Sequence, residues 1–261
     1  MRMLKLFIVA LGCVLFASCL EINEEVEIKD NGSGQLSSSM DLSQLVDMMA
    51  AMGGEEFDKR KDEKIDSFIN LKDIVDTAQN LTAQQKQLMR DGKVHVQMNM
   101  AEKLFKLDMQ YPFASLEKLQ QLHTAMSDGG IGFGSIMKDA MGGEKEKAGG
   151  DTGTPPPSDG PDLNKLTGIF DYNVSNGLIK KTVNQEKLKA MLDDPKLAEM
   201  KQGAEMGIEV LYNVTYKLPR PAKSVSNPKA KLSDDKKTVT LRMNLMEIFT
   251  KPEEFAFTIQ Y

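Results

Sequence analysis

The chain has 261 residues, with 33 Lys and Arg against 38 Asp and Glu and a formal charge of −5 at pH 7. Its lysines are scattered, which argues against a nucleic-acid partner, since that needs a concentrated basic face, and against holding anionic lipid by charge alone. With 41% hydrophobic residues the chain can bury a core, so global disorder is excluded.

Residues 1–18 read MRMLKLFIVALGCVLFAS. Arg2 and Lys5 precede an apolar run from Leu6 to Phe16, and small Ala17 and Ser18 stand directly before Cys19. A charged start, a short apolar stretch and a small-residue cleavage site make a secretory signal. The run is too short for a membrane-crossing helix, which takes about 20 residues, and Glu21, Glu24 and Glu25 follow at once. Cleavage before Cys19 would remove Cys13 and take the charge from −5 to −7 as Arg2 and Lys5 depart. If Cys19 then carries fatty acyl chains such as palmitate, the mature chain holds no free thiol. Disulfides, thiol catalysis and cysteine metal sites drop out.

Beyond Cys19 the pattern has period 2. Leu20, Ile22, Val26 and Ile28 alternate with Glu21, Asn23, Glu25 and Glu27; after a turn at Asp30-Asn31-Gly32, Leu36, Ser38 and Met40 resume. This predicts a hairpin. Asp41 is placed to cap a helix carrying Leu42, Leu45, Val46 and Met49. The stretch Ile65–Val75 fits strand and helix alike and is read as a strand running into a helix, and Thr82 with Gln85 forms a capping box before Leu88 and Met89. Val94, Val96, Met98 and Met100 make one strand, and Phe105, Leu107, Met109 and Tyr111 the next, ending at Pro112. Ser115 then opens a helix with Leu116, Leu119, Leu122 and Met126 at helical spacing.

From Asp128 to Lys165 the character changes: half of the chain's 20 glycines and Pro155-Pro156-Pro157 fall here, with few large apolar residues. Such a stretch cannot bury enough surface to offset its ordering entropy and reads as a flexible linker. Beyond it, Tyr172 and Val174 lead into Asn176-Gly177, a hairpin turn signal, with Ile179, Thr182 and Val183 on the return. Asn184 opens a helix with Leu188 and Met191, and Asp194-Pro195 restarts one that ends at Gly207. Three alternating runs finish the chain, Ile208–Leu218, Val239–Leu245 and Phe255–Tyr261. The halves look loosely alike, so a degenerate duplication is one reading.

The expected fold is α+β, a mostly antiparallel sheet with helices covering one face. Four regions follow: signal peptide 1–18, N-terminal half 19–127, Gly/Pro-rich linker 128–165 and β-rich half 166–261, the two halves forming either one domain or two. The structural alternative is a transmembrane barrel, suggested by the terminal Phe257-Thr258-Ile259-Gln260-Tyr261 and opposed by the amphipathic helices.

Phe16-Ala17-Ser18-Cys19 resembles the lipobox of bacterial lipoproteins, with Phe where Leu is usual. The layout as a whole resembles the LppM-type domain of such lipoproteins, and also a group of Bacteroidota lipoproteins of similar length. The residues behind this are the cysteine leading straight into a strand, the Asp30-Asn31-Gly32-Ser33-Gly34 turn, Tyr111-Pro112-Phe113-Ala114-Ser115 and Tyr216-Lys217-Leu218-Pro219. The resemblance implies a cell-envelope α+β domain anchored through Cys19, and supplies no catalytic residue. Leu20 is no inner-membrane retention signal, so the outer membrane of a Gram-negative bacterium is the expected location.

Reactive constellations are scarce. His95 stands on the polar parity of its strand and His123 beside the apolar stripe of its helix, neither within a ligand spacing. Gly129-Gly130-Ile131-Gly132-Phe133-Gly134-Ser135 fits no phosphate loop and no nucleophile elbow. Met48, Met49, Met52, Met98 and Met100 could hold Cu(I) but read better as core, or as a soft space between sheet and helices that adapts to an acyl chain. The pairs Glu55-Glu56, Asp193-Asp194, Asp234-Asp235 and Glu253-Glu254 fall in predicted turns and match no calcium loop. Glycan recognition favours aromatic platforms; the chain has no Trp and its polar strand faces read as free of aromatics, which argues against it.

The expectation is therefore a non-enzymatic, lipid-anchored envelope module without cofactor or metal. Its partners would be the membrane, through the anchor, and an envelope protein or amphiphile. The alternative is a hydrolase with a carboxylate-only site, which needs two acids converging in a cleft with raised pKa values.

Overall fold

A computed structural model describes residues 20–52, 61–78, 81–127, 168–194, 197, 201 and 209–261. β1 (Leu20–Ile28) and β2 (Gly34–Asp41) pair from Ile28↔Gly34 to Glu21↔Asp41. Their turn uses Gly32 at φ 80°, where a side chain would be strained, and the Ser33 amide donates to Asn31 Oδ1 at 3.0 Å. Asp41 Oδ1 accepts from the Ser43 amide at 3.0 Å as α1 (Ser43–Met52) begins.

β3 (Lys64–Asn70) runs straight into α2 (Leu71–Thr77), as the sequence predicts for Ile65–Val75. Thr82 and Gln85 close the capping box of α3 (Ala83–Met89), the Gln85 amide donating to Thr82 Oγ1 at 3.2 Å and the Thr82 amide to Gln85 Oε1 at 2.9 Å. β4 (Lys93–Asn99) and β5 (Leu104–Phe113) follow, then α4 (Leu116–Ser127). β5 passes through Pro112 rather than stopping there, because β4 pairs with it only as far as Lys93↔Gln110 and β2 alone lies alongside at Pro112.

In the second half β6 (Phe170–Ser175) and β7 (Leu178–Val183) turn at Asn176-Gly177, with Gly177 at φ 85°. Asn184 caps α5 (Gln185–Leu192) by accepting from the Lys187 amide at 3.0 Å. Then come β8 (Val210–Lys217), β9 (Ser224–Val225), β10 (Lys231–Leu232), β11 (Thr238–Asn244) and β12 (Phe257–Gln260). Phe255 closes a 3-10 turn, Pro252–Phe255, so the last strand starts two residues later than its alternation suggests. The linker 128–165 and nearly all of the helix expected to end at Gly207 lie outside the described residues.

The fold is α+β, as expected. Eight strands make one sheet in the order β10-β11-β8-β1-β2-β5-β4-β3, antiparallel except at β1–β8, and four make a second, β6-β7-β12-β9. Both sheets are open among the described residues, so the barrel alternative is set aside. β1 of the first half and β8 of the second share a ladder, Ile22↔Tyr212 to Val26↔Tyr216. The two Asn-Gly hairpins hold different places: β1–β2 is central in the large sheet, whereas β6–β7 ends the small one. The halves therefore do not repeat each other.

One face of the large sheet is buried. α1 and α4 lie against β5, with α2, α3 and β6 packed around them. Near β8 the second sheet takes over, with the Phe257 ring meeting Tyr216 edge-on at 5.5 Å. Burying residues such as Val26, Leu36, Val96, Leu119, Tyr216 and Leu241 stabilises the fold by roughly 1.5–3 kcal/mol each. Among the described residues no helix is long and apolar enough to cross a membrane.

Candidate functional site

Cys19, the anchor expected from sequence, lies outside the described residues, as do Glu55-Glu56 and the loop Gly129–Ser135. β1 begins at the next residue, Leu20. Met98 and Met100 are buried in the core, as their parity suggests. The acidic pairs do not converge. Asp193 ends α5 in solvent, the Ser233 hydroxyl and the Lys237 amide hold Asp235 low, and a hydrogen bond from Lys229 does the same for Glu254. A carboxyl serving as general acid needs the opposite displacement.

The two histidines part company. His95 is on the wet face, its Nε2 2.7 Å from Asp66 Oδ1 and its ring stacked on Phe68 at 3.9 Å. His123 is buried, its ring stacked on Tyr172 at 4.1 Å. Burial pulls its pKa down to about 4, so at neutral pH it is an uncharged imidazole.

Around His123 the two sheets enclose a polar cluster that parity alone does not reveal. Glu24 points inward from β1 between Ile22 and Val26, and Tyr212 Oη donates to its Oε2 at 2.9 Å. Opposite, Lys181 of β7 is only 1% exposed, with Nζ 3.9 Å from the Phe170 ring centre, 5.2 Å from Tyr212 and 5.6 Å from Tyr172. Three aromatic faces thus cradle one ammonium. Burial drags the Lys181 pKa down to about 8, against the pull of Glu24's charge. Burial first, then Glu24's charge, pushes the Tyr172, Tyr212 and Tyr216 phenols well above their ordinary range.

Four atoms of this cluster, Glu24 Oε1, Lys181 Nζ, His123 Nε2 and Tyr216 Oη, have no hydrogen-bond partner among the described residues. A lysine near pKa 8 beside a neutral imidazole could act as base or nucleophile, yet a substrate would have to part the two sheets to reach it. The same inventory serves a buried ion cluster that fixes how the sheets meet. The sequence held a signal for it: Glu24 and Lys181 are charges on the apolar parity of their strands.

The outer face of the large sheet carries the second candidate. Strand register aligns one row of side chains across it: Arg242, Asn213, Asn23, Ser39, Asp108, His95 and Phe68. The next row runs Thr215, Glu25, Ser37, Gln110, Lys93 and Asn70. Small Ser37 and Ser39 floor a hollow of about 510 Å³ whose rim includes Glu25, Lys93, His95 and Phe68. From Asn23 to Phe68 there are four strand spacings, about 19 Å.

Phe68 is 78% exposed, more than any other large hydrophobic residue described. It corrects the expectation that the polar strand faces lack aromatics. The ring lies on the outward parity of β3, a stretch whose parity the sequence leaves open between strand and helix. Ser39, Lys93, Asp108 and Gln110 make no side-chain hydrogen bond or ion pair with any described residue, so their bonding capacity is uncommitted. Glu25 is met by Lys217 at 2.7 Å.

No protein-family model matches the chain, and no curated protein does. Among solved structures it is similar to the folded domain of LppM from Mycobacterium tuberculosis, determined by NMR. That match has 9% identity and a TM-score of 0.33, over 93% of this chain and 90% of the other. It is a weak likeness, confined to fold.

Proposed function

We propose that this chain is a lipid-anchored, non-enzymatic module of the cell envelope, and that it holds its partner in the hollow on the outer face of the eight-stranded sheet. The observation that carries the reading is the hollow itself: a serine floor, uncommitted polar groups and an exposed aromatic at one end. Phe68, 78% in water and stacked on His95, adds an apolar ring to the rim of that polar hollow. The outer face favours a partner with polar surface over a buried acyl chain, because the methionine-rich interior is core: Met89, Met98, Met100 and Met109 are all buried there. Anchoring rests on Cys19 and the apolar run before it.

With Cys19 next to Leu20, the base of β1 would sit at the bilayer. Asn23 and Glu25, four and six residues from Cys19, would lie about 13–20 Å above it at 3.3 Å per residue. Feeding cells an alkyne-tagged palmitate and fractionating the envelope tests the anchor. The wild-type chain takes up the label and sediments with membranes, and Cys19→Ser does neither. Unlabelled wild-type protein released to the soluble fraction would overturn the reading.

A further inference from the structure

Whatever fills the hollow, the large sheet also ends in an open edge, β3. We infer that β3 is a docking edge: an extended segment of a partner protein lies antiparallel along it as a further strand, with an apolar or aromatic side chain against the free face of Phe68. The Met100 amide donates to the Glu63 carbonyl at 3.1 Å and the Leu71 amide to the Gly92 carbonyl at 2.9 Å. Bonded and unbonded pairs alternate along an antiparallel ladder, so Ile65, Ser67 and Ile69 spend their N–H and C=O groups on β4. Lys64, Asp66 and Phe68 turn theirs the other way, where no described residue bonds to them.

Among the described residues the other sheet ends are short or bonded. β9 and β10 are two residues long, and the Val174 amide of β6 donates to Gln120 Oε1 of α4 at 3.0 Å. β3 has seven residues in unbroken register with β4, without proline or bulge. Only its charges, Lys64 and the His95-bound Asp66, oppose pairing, and they are of opposite sign. A row of N–H and C=O groups at strand spacing is complemented by another extended main chain. In that pairing the residue opposite Phe68 stands on the same sheet face, against the side of the ring that looks over the edge. His95, on the β4 side, covers the opposite side at 3.9 Å and 8° from parallel. A second copy would pair about a two-fold axis that reverses its strands. β3 runs parallel to β1, since β1, β2, β5, β4 and β3 each reverse the one before. Two chains anchored in one bilayer with β1 standing on it therefore cannot pair this way, and the occupant is a segment of a different chain.

The test follows amide hydrogen exchange by NMR in the full isotope-labelled chain in detergent. In the chain alone, Lys64, Asp66 and Phe68 exchange fast and Ile65, Ser67 and Ile69 slowly. Adding a heptapeptide of alternating threonine and valine, with phenylalanine at its centre, protects the first three. N-methylating the peptide's phenylalanine and valine amides, which face β3 when the two phenyl rings meet, weakens binding about tenfold. N-methylating its threonine amides, which face away, leaves binding unchanged. Phe68→Ala weakens it about fivefold with the circular dichroism of the wild type. Slow exchange of all these amides in the chain alone, no protection by the peptide, or equal effects of the two methylation patterns would overturn the inference. So would protection that grows with the chain's own concentration, the mark of a second copy. Cys19→Ser binds the peptide as the wild type does, so the anchor and the docking edge fail separately.

Discussion

The same strand, β1, carries two kinds of polar chemistry on its two faces. Inside, Glu24 meets Tyr212 and faces an ammonium ringed by Phe170, Tyr172 and Tyr212. Outside, Asn23 and Glu25 border a hollow whose neighbours Ser39, Asp108, Gln110 and Lys93 are uncommitted. The inner groups are withdrawn from water and joined across long sequence distance, Tyr212 and Glu24 being 188 residues apart. Groups withdrawn in this way are costly to leave unpaired. The outer groups cost nothing to keep solvated and remain free for a partner.

The sharpest way to break this contrast is to strip the inner cluster of one charge. Glu24→Leu leaves Lys181 buried without its counter-charge and should cost about 3–5 kcal/mol in urea unfolding. Adding Lys181→Met to it should recover most of that loss. Two losses that simply add would mean the groups do not interact.

Acid probes the same region. The fold keeps His123 neutral down to about pH 4, whereas the unfolded chain protonates it near 6.5. Between those values the unfolded state binds more protons, so stability falls as pH drops through the window, by up to about 3 kcal/mol. His123→Phe should flatten that part of the profile. At the alkaline end the same logic applies to Lys181: from about 8 towards 10.5 the unfolded chain keeps a proton the fold has released. Stability contributed by this group therefore climbs with pH across that range.

Smaller effects belong to the periphery. Thr82→Ala removes the capping box of α3 and should cost about 1 kcal/mol, read as a lowered urea midpoint with unchanged slope. Phe68→Ala should change stability by no more than about 0.5 kcal/mol, since the ring is mostly in water. A large loss there would make Phe68 a packing residue and remove the platform from the outer face.

Strands were readable because apolar residues recur at every second position, and caps because Thr82, Asn184 and Asp41 stand just before helical runs. Neither candidate site was readable by that rule. The apolar parity of Glu24 and Lys181 marks them as unusual but does not say what they meet; only the pairing of β1 with β8 and the packing of β7 beneath them bring the cluster together. Phe68 fell in a stretch that fits strand and helix alike, and its exposure depends on β3 pairing with β4 in the register His95↔Phe68. The hollow joins residues of five strands, a property of sheet order that no local pattern carries.

The most direct test places a photo-crosslinking residue at Gln110, exposed beside the hollow, in living cells, with the same group on exposed Glu186 of α5 as reference. Crosslinks to envelope material from position 110, absent from position 186 and lost in the Phe68→Ala background, are what the proposed role predicts. Equal labelling from both positions, or none from position 110 while the chain is anchored, would contradict it.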